Sequence, residues 1–456
     1  MKRLARMAAI ACVLSGTASA RAEVALPNIF GDGMVLQRGE SVPVYGTAAD
    51  GETVSVEFRG AKAETTAKDG QWRVDLPPGE AGGPFTLTVK GKNTIAIKNV
   101  YVGDVWVCSG QSNMHMTRHF APLAEAPEQL RFFTGVAPHK SMKQHGIWQT
   151  KGHFSNFGQE FAKALHPQAK VPLGMLYAAV GGTRIASWGI EPYKSKRGRV
   201  TANDCYLERI KPLMPYRIKG VIWWQGESDS AAAFNRYNYH RAFEPMIAGW
   251  RKEWGQGDFP FLWVQLSSIT KRACIGETRD AMRRALALPN TGMAVSFDLT
   301  NGDLVPLKKK QAGSLHPSYC YPGAAKRLAL AARAVAYDEK DLAWSGPLFE
   351  KGTLKDGKLV LSFTQLGGGL VAKGDRELGV FEVQENAAGA KPGDAGEFKP
   401  VKAALGADKK TVELDVAGLK APLRARYAYG DMPKGNLYNA ADLPASPFIS
   451  DPIPAP

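Results

Sequence analysis

Asp104-Val105-Trp106-Val107-Cys108, followed closely by Gly110-Gln111-Ser112-Asn113-Met114, is the stretch on which the reading of this chain turns. An apolar run of that length reads as a buried strand, and the Gly-Gln-Ser-Asn-Met that closes it opens a helix. The hydroxyl of Ser112 therefore sits at a strand-to-helix turn. Unpaired N–H groups and the positive end of the helix there favour an attacking oxygen and hold an oxyanion. The competing reading is an ordinary helix cap, a common role for Ser at a helix start.

Outward from this turn, apolar strands alternate with helical stretches. The strands are expected at Val105–Cys108, Val171–Val180, Ile218–Gln225, Phe259–Leu266 and Met293–Phe297, with amphipathic segments at Asn156–Leu165 and Tyr237–Trp254. Such alternation implies an α/β domain, about residues 103–340, with a parallel sheet covered on both faces. Ligands in such sheets bind beyond the carboxyl ends of the strands. Ser112, Gly181-Gly182 and Gln225-Gly226-Glu227 each follow a strand directly, so they are expected at one edge.

On either side the pattern turns to β. Val54, Val56 and Phe58, then Trp72, Val74 and Leu76, then Phe85, Leu87 and Val89 alternate with polar neighbours, and Asp69-Gly70 is a hairpin signal. This makes residues 24–102 a small antiparallel sandwich-like module, a sandwich or roll. Alternation returns around Leu359, Leu361 and Phe363, Val380 and Val383, and Tyr427 and Tyr429, giving a second β module over 341–456.

Residues 1–20 read as a signal peptide. Lys2, Arg3 and Arg6 precede the apolar Met7–Leu14, and Ala18-Ser19-Ala20 has the small-x-small form of a cleavage site. Export to the periplasm or medium is expected, with a lipid anchor at Cys12 as the rival and no membrane-spanning segment. Removing the leader takes the formal charge from +15 to +12. That field favours anionic ligands. The basic residues are spread out, with Lys308-Lys309-Lys310 the one run, which argues against nucleic acid as a partner. Oligomeric state is not legible.

Cys108, Cys205, Cys274 and Cys320 remain after cleavage, without a Cys-x-x-Cys pair. Export permits disulfides. Cys108 reads as a buried thiol, and a Cys274–Cys320 bridge is one pairing that would pin the loop around His316.

An esterase needs an attacking hydroxyl, a base, a group that orients the base and oxyanion donors. Ser112 is the attacker. Two histidines occur in Leu-His-Pro, His166 and His316. His166 ends a helix before a strand, at the wrong edge, whereas His316 follows a strand and is the base. His115 and His119 have the spacing of a helical metal pair but no carboxylate beside them, so no metal or other cofactor is expected. Oxyanion donors are the N–H groups of Ser112 and of Gly181 or Gly182, with the Gln225 amide as a third. Glu227 reads as a buried structural carboxylate. Trp188, Trp223 and Trp224 are candidates for a sugar-binding face, with a core role as the alternative. Arg184 is a candidate for a sugar carboxylate.

The ordered set of segments resembles the bacterial sialate O-acetylesterase family, a branch of the SGNH (GDSL-like) hydrolases. It runs from Leu26-Pro27-Asn28-Ile29-Phe30 and Met34-Val35-Leu36-Gln37-Arg38 through Val102-Gly103-Asp104-Val105-Trp106 and Gly110–Met114. It continues with Gly181-Gly182-Thr183-Arg184-Ile185, Gly220–Ser228 and Leu315-His316-Pro317, and ends with Asn436-Leu437-Tyr438-Asn439 and Leu443–Phe448. The resemblance implies a flavodoxin-like hydrolase domain between β modules and metal-independent removal of O-acetyl groups from sialic acids or related sugars. It makes Ser112 the nucleophile and His316 the base, with Gln225 standing where other SGNH enzymes use Asn.

The chain departs from the family in one place that matters. Ser314 and Gly313 occupy the positions two and three before His316 where the family has Asp. Asp303 is the candidate to orient His316, with Asp298 next and a backbone carbonyl as the remaining option. His115 replaces a Glu and Asp229 an Asn of the family pattern. Acetylated xylan or another polysaccharide is the alternative substrate. A sugar-binding protein on a degenerate hydrolase fold is the alternative of a different class.

Overall fold

The structure, a computed structural model, describes residues 23–117, 127–138, 145–194, 200–201, 203–300, 313–374, 377–385 and 397–455. The leader, Cys12, His119, Asp303 and the lysine run 308–310 lie outside the described residues.

The central sheet is built around the strand Thr94–Gly110. Across the sheet the strands run Thr291–Ala294, Phe261–Val264, Gly220–Trp224, Thr94–Gly110, Leu173–Ala179, Leu130–Phe133 and Trp148–Gln149. All neighbours are parallel except the last pair, which is antiparallel. Five of these strands lie where the apolar runs place them, trimmed or extended at their ends. Leu130–Phe133 was not foreseen, because four residues between polar stretches carry little periodic signal.

The unbroken apolar runs follow from burial on both faces. Trp106, Cys108, Ile222, Trp224, Leu262 and Val264 pack on one side with Phe157, Phe161 and Leu165 of α2 (Asn156–Ala169) and Ala324, Ala325 and Leu328 of α5 (Tyr321–Ala336). Their sequence neighbours Val105, Val107, Val221, Trp223, Phe261 and Trp263 pack on the other. There they meet Phe243, Met246 and Trp250 of α3 (Asn238–Trp254) and Ile275 and Met282 of α4 (Ile275–Arg284). α2 runs past its expected end through Pro167, so His166 lies in its last turn, bonded to Gln129 rather than closing the helix.

Thr94–Gly110 also pairs with Val35–Gln37 and Gly82–Lys90 of the amino-terminal module, so one strand passes from that module into the central sheet across residues 102 and 103. The expected alternation is seen in Thr53–Phe58 and Gln71–Leu76. Asp69 and Gly70 both have positive φ, 53° and 72°, and Lys68 and Gln71 exchange hydrogen bonds around them. That is the two-residue turn whose twist suits a hairpin.

Among the described residues the carboxyl-terminal module holds two four-stranded antiparallel sheets, Leu348–Lys355, Lys358–Thr364, Thr411–Asp415 and Ala403–Leu405 in one, and Lys399–Pro400, Phe381–Gln384, Arg424–Tyr427 and Phe448–Ile449 in the other, with Leu370–Ala372 and Leu437–Asn439 as a two-stranded pair. Val380 and Tyr429 lie just outside those strands.

Cys108, Cys205, Cys274 and Cys320 are all free and buried. The Cys274–Cys320 bridge is not formed. The Cys274 thiol donates instead to carbonyls of Asp229 and Ala232.

Candidate active site

Glycine makes the central turn possible. Gly110 has φ +133°, and a Cβ there would lie 2.2 Å from the Trp224 carbonyl oxygen. With no side chain, the strand end closes against Gly220–Trp224, and Gln111 N–H donates to the Trp224 carbonyl over 2.9 Å. Ser112 then opens α1 (Ser112–His115), a single turn. Gln111, not Ser112, holds the cap position, so the capping alternative fails. One turn carries little macrodipole, and what remains at Ser112 is local, the N–H groups that a first turn leaves without an intrahelical partner.

Each neighbour of Ser112 is tied to a different loop of the carboxyl edge. On the amino-terminal side, Gln111 Oε1 accepts from Gln225 Nε2 at 3.0 Å and from the N–H groups of Gly226 and Ser228. Gln225 Nε2 also lies 2.7 Å from Asp229 Oδ2 and 3.1 Å from the Thr183 carbonyl. Asp229 Oδ2 in turn accepts from Ile185 N–H, which pins the Gly181–Ile185 turn. On the other side, Asn113 Nδ2 donates to Glu227 Oε1 at 2.6 Å and to the Leu315 carbonyl, the residue before His316, at 3.3 Å. Tyr321 Oη donates to Asn113 Oδ1 at 2.9 Å.

Ser112, Gly181-Gly182, Gln225 and the His316 loop are thereby gathered at one edge. Ser112 and His316 are half-buried, and Gly181 and Gly182 are exposed, with Gly182 at φ +77°. His115 belongs to the same cluster. Its Nδ1 is 2.7 Å from Tyr177 Oη and 3.3 Å from the Ala179 carbonyl, and its ring lies 3.5 Å from where a Gly181 Cβ would stand. Burial, and then the charges of Arg209 and His316, lower the His115 pKa and so favour the neutral ring. No group of three metal-ligating side chains is found among the described residues.

Several expectations change. Both amide hydrogens of the fully buried Gln225 are taken up by Gln111, Thr183 and Asp229, so it braces the turn instead of facing an oxyanion. Trp188 is 0% exposed, packed edge-on against Trp223 and donating to Thr183 Oγ1, and Trp223 and Trp224 are buried as well. The core reading of these tryptophans holds. Asp298, the second choice to orient His316, forms a two-point ion pair with Arg327 and accepts from Tyr438. Arg184 is exposed on the glycine turn, its guanidinium 5.7 Å from the ring of Phe234, itself 76% exposed.

Glu227 is the buried carboxyl expected, 1% exposed, and burial lifts its pKa to about 7 against the pull of Asn113 and Arg272. Asp229 is lifted to about 6, again by burial first. The bracing roles of Gln111, Asn113 and Asp229 were not foreseen. Their signal was present, as amides on both sides of Ser112 and four polar residues around Gly226, Gln225–Asp229, directly after a buried strand.

A family profile described as carbohydrate esterase, sialic acid-specific acetylesterase, matches residues 102–315, the stretch from the central strand to the residue before His316. The sialate O-acetylesterase of Homo sapiens is 30% identical over 420 residues, which cover 77% of this chain and 78% of that one. The chain belongs to the sialate O-acetylesterase family. The Mus musculus sialate O-acetylesterase is likewise 30% identical over 430 residues, covering 73% of this chain and 77% of its own. Among solved structures, a carbohydrate acetylesterase from Xanthomonas citri is 32% identical, with a TM-score of 0.80 over 94% of this chain and 99% of that one. That likeness covers nearly the whole chain, both β modules included.

Proposed function

We propose that the protein is an exported carbohydrate O-acetylesterase that removes acetyl groups from sialic acids or related sugars through an acyl-enzyme on Ser112. The observation that carries this reading is the wiring of the Ser112 turn to the glycine turn on one side and to the His316 loop on the other. Membership of a family of carbohydrate esterases supports the substrate class. The sheet order reverses at Thr94–Gly110, where an open α/β sheet forms its crevice, in keeping with a flavodoxin-like SGNH domain.

In this mechanism Ser112 Oγ attacks the acetyl carbonyl carbon while His316 takes its proton. The N–H groups of Ser112 and of Gly181 or Gly182 bind the oxyanion. The tetrahedral intermediate collapses, His316 returns the proton to the departing sugar oxygen, and water then releases acetate by the same steps in reverse order. Asp303 orients His316. Arg184 meets the carboxylate of an acidic sugar, and the exposed Phe234 ring beside it offers an apolar face for the pyranose.

Acetate release from O-acetylated sialic acid and from acetylated xylan, compared for the wild type and Ser112→Ala, tests this. Turnover is expected to fall by about 10³-fold or more. Retained turnover in the variant overturns the acyl-enzyme, and faster release from xylan moves the substrate to plant polysaccharide.

A further inference from the structure

We propose that Asn113 and Glu227 are positioning residues that set the His316 loop against Ser112. The inference rests on the serine-esterase reading above. Asn113 follows Ser112 directly and is 0% exposed. Its amide joins three elements at once. It donates to Glu227 at the end of Gly220–Trp224 and to the Leu315 carbonyl, and it accepts from Tyr321 at the first position of α5.

The partners fix which way the amide points. The Leu315 carbonyl only accepts, and Glu227 Oε1 accepts whether or not the carboxyl holds its proton on the other oxygen, so the NH2 group faces both and Oδ1 faces the tyrosine hydroxyl. Rotation of the amide would set its oxygen against two acceptors, and Asn113 is 0% exposed. The Leu315 carbonyl is held as a result. His316 follows it at once, with Pro317 limiting the backbone beyond, and Ser318 N–H grips the His316 carbonyl at 2.8 Å. The loop is thus held on both sides of His316 through main-chain atoms, whatever bonds the imidazole ring.

Glu227 is an expensive way to fill space. It is 1% exposed, and its Oε2 makes no hydrogen bond among the described residues. Packing would be served better by an apolar side chain. What an apolar side chain cannot supply is the acceptor 2.6 Å from Asn113 Nδ2. A general base must stand within hydrogen-bonding reach of the proton it takes. A displacement of the base by about 1 Å costs about 10²-fold in rate.

The test is steady-state kinetics on O-acetylated sialic acid for Glu227→Gln, Glu227→Ala, Asn113→Ala and Tyr321→Phe beside Ser112→Ala, with circular dichroism and thermal melts on each. Glu227→Gln keeps the accepting oxygen and is expected to retain kcat within about threefold. Glu227→Ala and Asn113→Ala are expected to lower kcat by about 10- to 100-fold with KM within about threefold. Combining them is expected to cost no more than the worse single variant, because both cut one strut. Tyr321→Phe removes one hydroxyl without changing packing. It keeps the test open should the alanine variants fail to fold, with a loss of about threefold or more in kcat expected at unchanged helicity.

A kcat within twofold of wild type in a folded Glu227→Ala or Asn113→Ala overturns the proposal. So does a loss in Glu227→Gln equal to that in Glu227→Ala, since the carboxylate itself would then be at work. If neither alanine variant folds, unchanged kcat in Tyr321→Phe overturns it. Activity surviving in Ser112→Ala would instead strike the esterase reading on which the strut depends, so the two failures are distinguishable.

Discussion

Glu227 and Asp229 are carboxyls held where carboxylates are poorly solvated, and that gives the fold a pH dependence of definite sign. Burial lifts them to about 7 and about 6. Between the ordinary carboxylate range and those values the folded chain keeps protons that the unfolded chain has released. Their contribution to stability is therefore present at low pH and lost as pH rises through that window. The size is on the order of 3 kcal/mol for each. In urea unfolding, Glu227→Gln is expected to gain on the wild type by a few kcal/mol between about pH 5 and pH 8. A gap that does not move with pH would show that Glu227 is not lifted. Trp188 makes the opposite point about aromatic residues near a site. It lies between Trp223 and Trp250 with no exposed surface. Trp188→Ala is expected to cost about 3–5 kcal/mol in the same unfolding assay, and an unchanged midpoint would contradict its place in the core.

Among the elements, α4 is the one that hydropathy hides. Glu277, Arg279, Asp280, Arg283 and Arg284 give Ile275–Arg284 the look of a solvated helix, yet most of it is buried, Ile275, Ala281 and Met282 in the central core and Gly276, Arg279 and Asp280 against the carboxyl-terminal module. Arg279 donates to the carbonyls of Leu266 and Ser267 in the central domain and of Gly430 and Asp431 in the module. Asp280 is held by Arg283 and Arg284 and accepts from Ile449 N–H. Periodicity fails here because the buried charges are satisfied in ways a helical pattern does not show, Arg279 and Glu277 by distant segments and Asp280 by Arg283 and Arg284 one turn along. Arg279→Leu keeps the volume but strands several buried carbonyls, each costing about 1–3 kcal/mol. A clear loss of thermal stability in calorimetry is expected, and a melt unchanged within a degree would mean that the joint does not depend on it. The strands, by contrast, were legible, because Val221–Trp224 and Phe261–Val264 are apolar on both faces of the sheet that buries them.

At the scale of the whole molecule, the three parts of the chain share elements. Thr94–Gly110 belongs to two sheets, and the loop around Asp431 and Met432 reaches the site region. Asp431 accepts from Arg272 N–H, and a Cβ on Gly313 would meet Met432 Sδ at 2.8 Å. No disulfide adds to this joint, for the four described thiols are separate, buried and, by burial, pushed up in pKa. Thiol titration is expected to find Cys108, Cys205, Cys274 and Cys320 unreactive in the native protein and reactive in denaturant without reductant. Fewer reactive thiols in denaturant would restore a bridge.

By itself the sequence determined the strand–helix alternation, the flanking β modules, the Asp69-Gly70 turn and the gathering of Ser112, Gly181-Gly182 and His316 at one edge. Local pattern suffices for these, since alternation and turn chemistry are written in residues close along the chain. Only the tertiary structure decided that Gln225 is spent on Gln111, Thr183 and Asp229, that Asp298 serves Arg327, that Trp188 is core, and that Asn113 reaches Leu315. A polar side chain takes its role from which partner arrives within about 3 Å, and apart from Asp229 these partners lie dozens to hundreds of residues away in the chain.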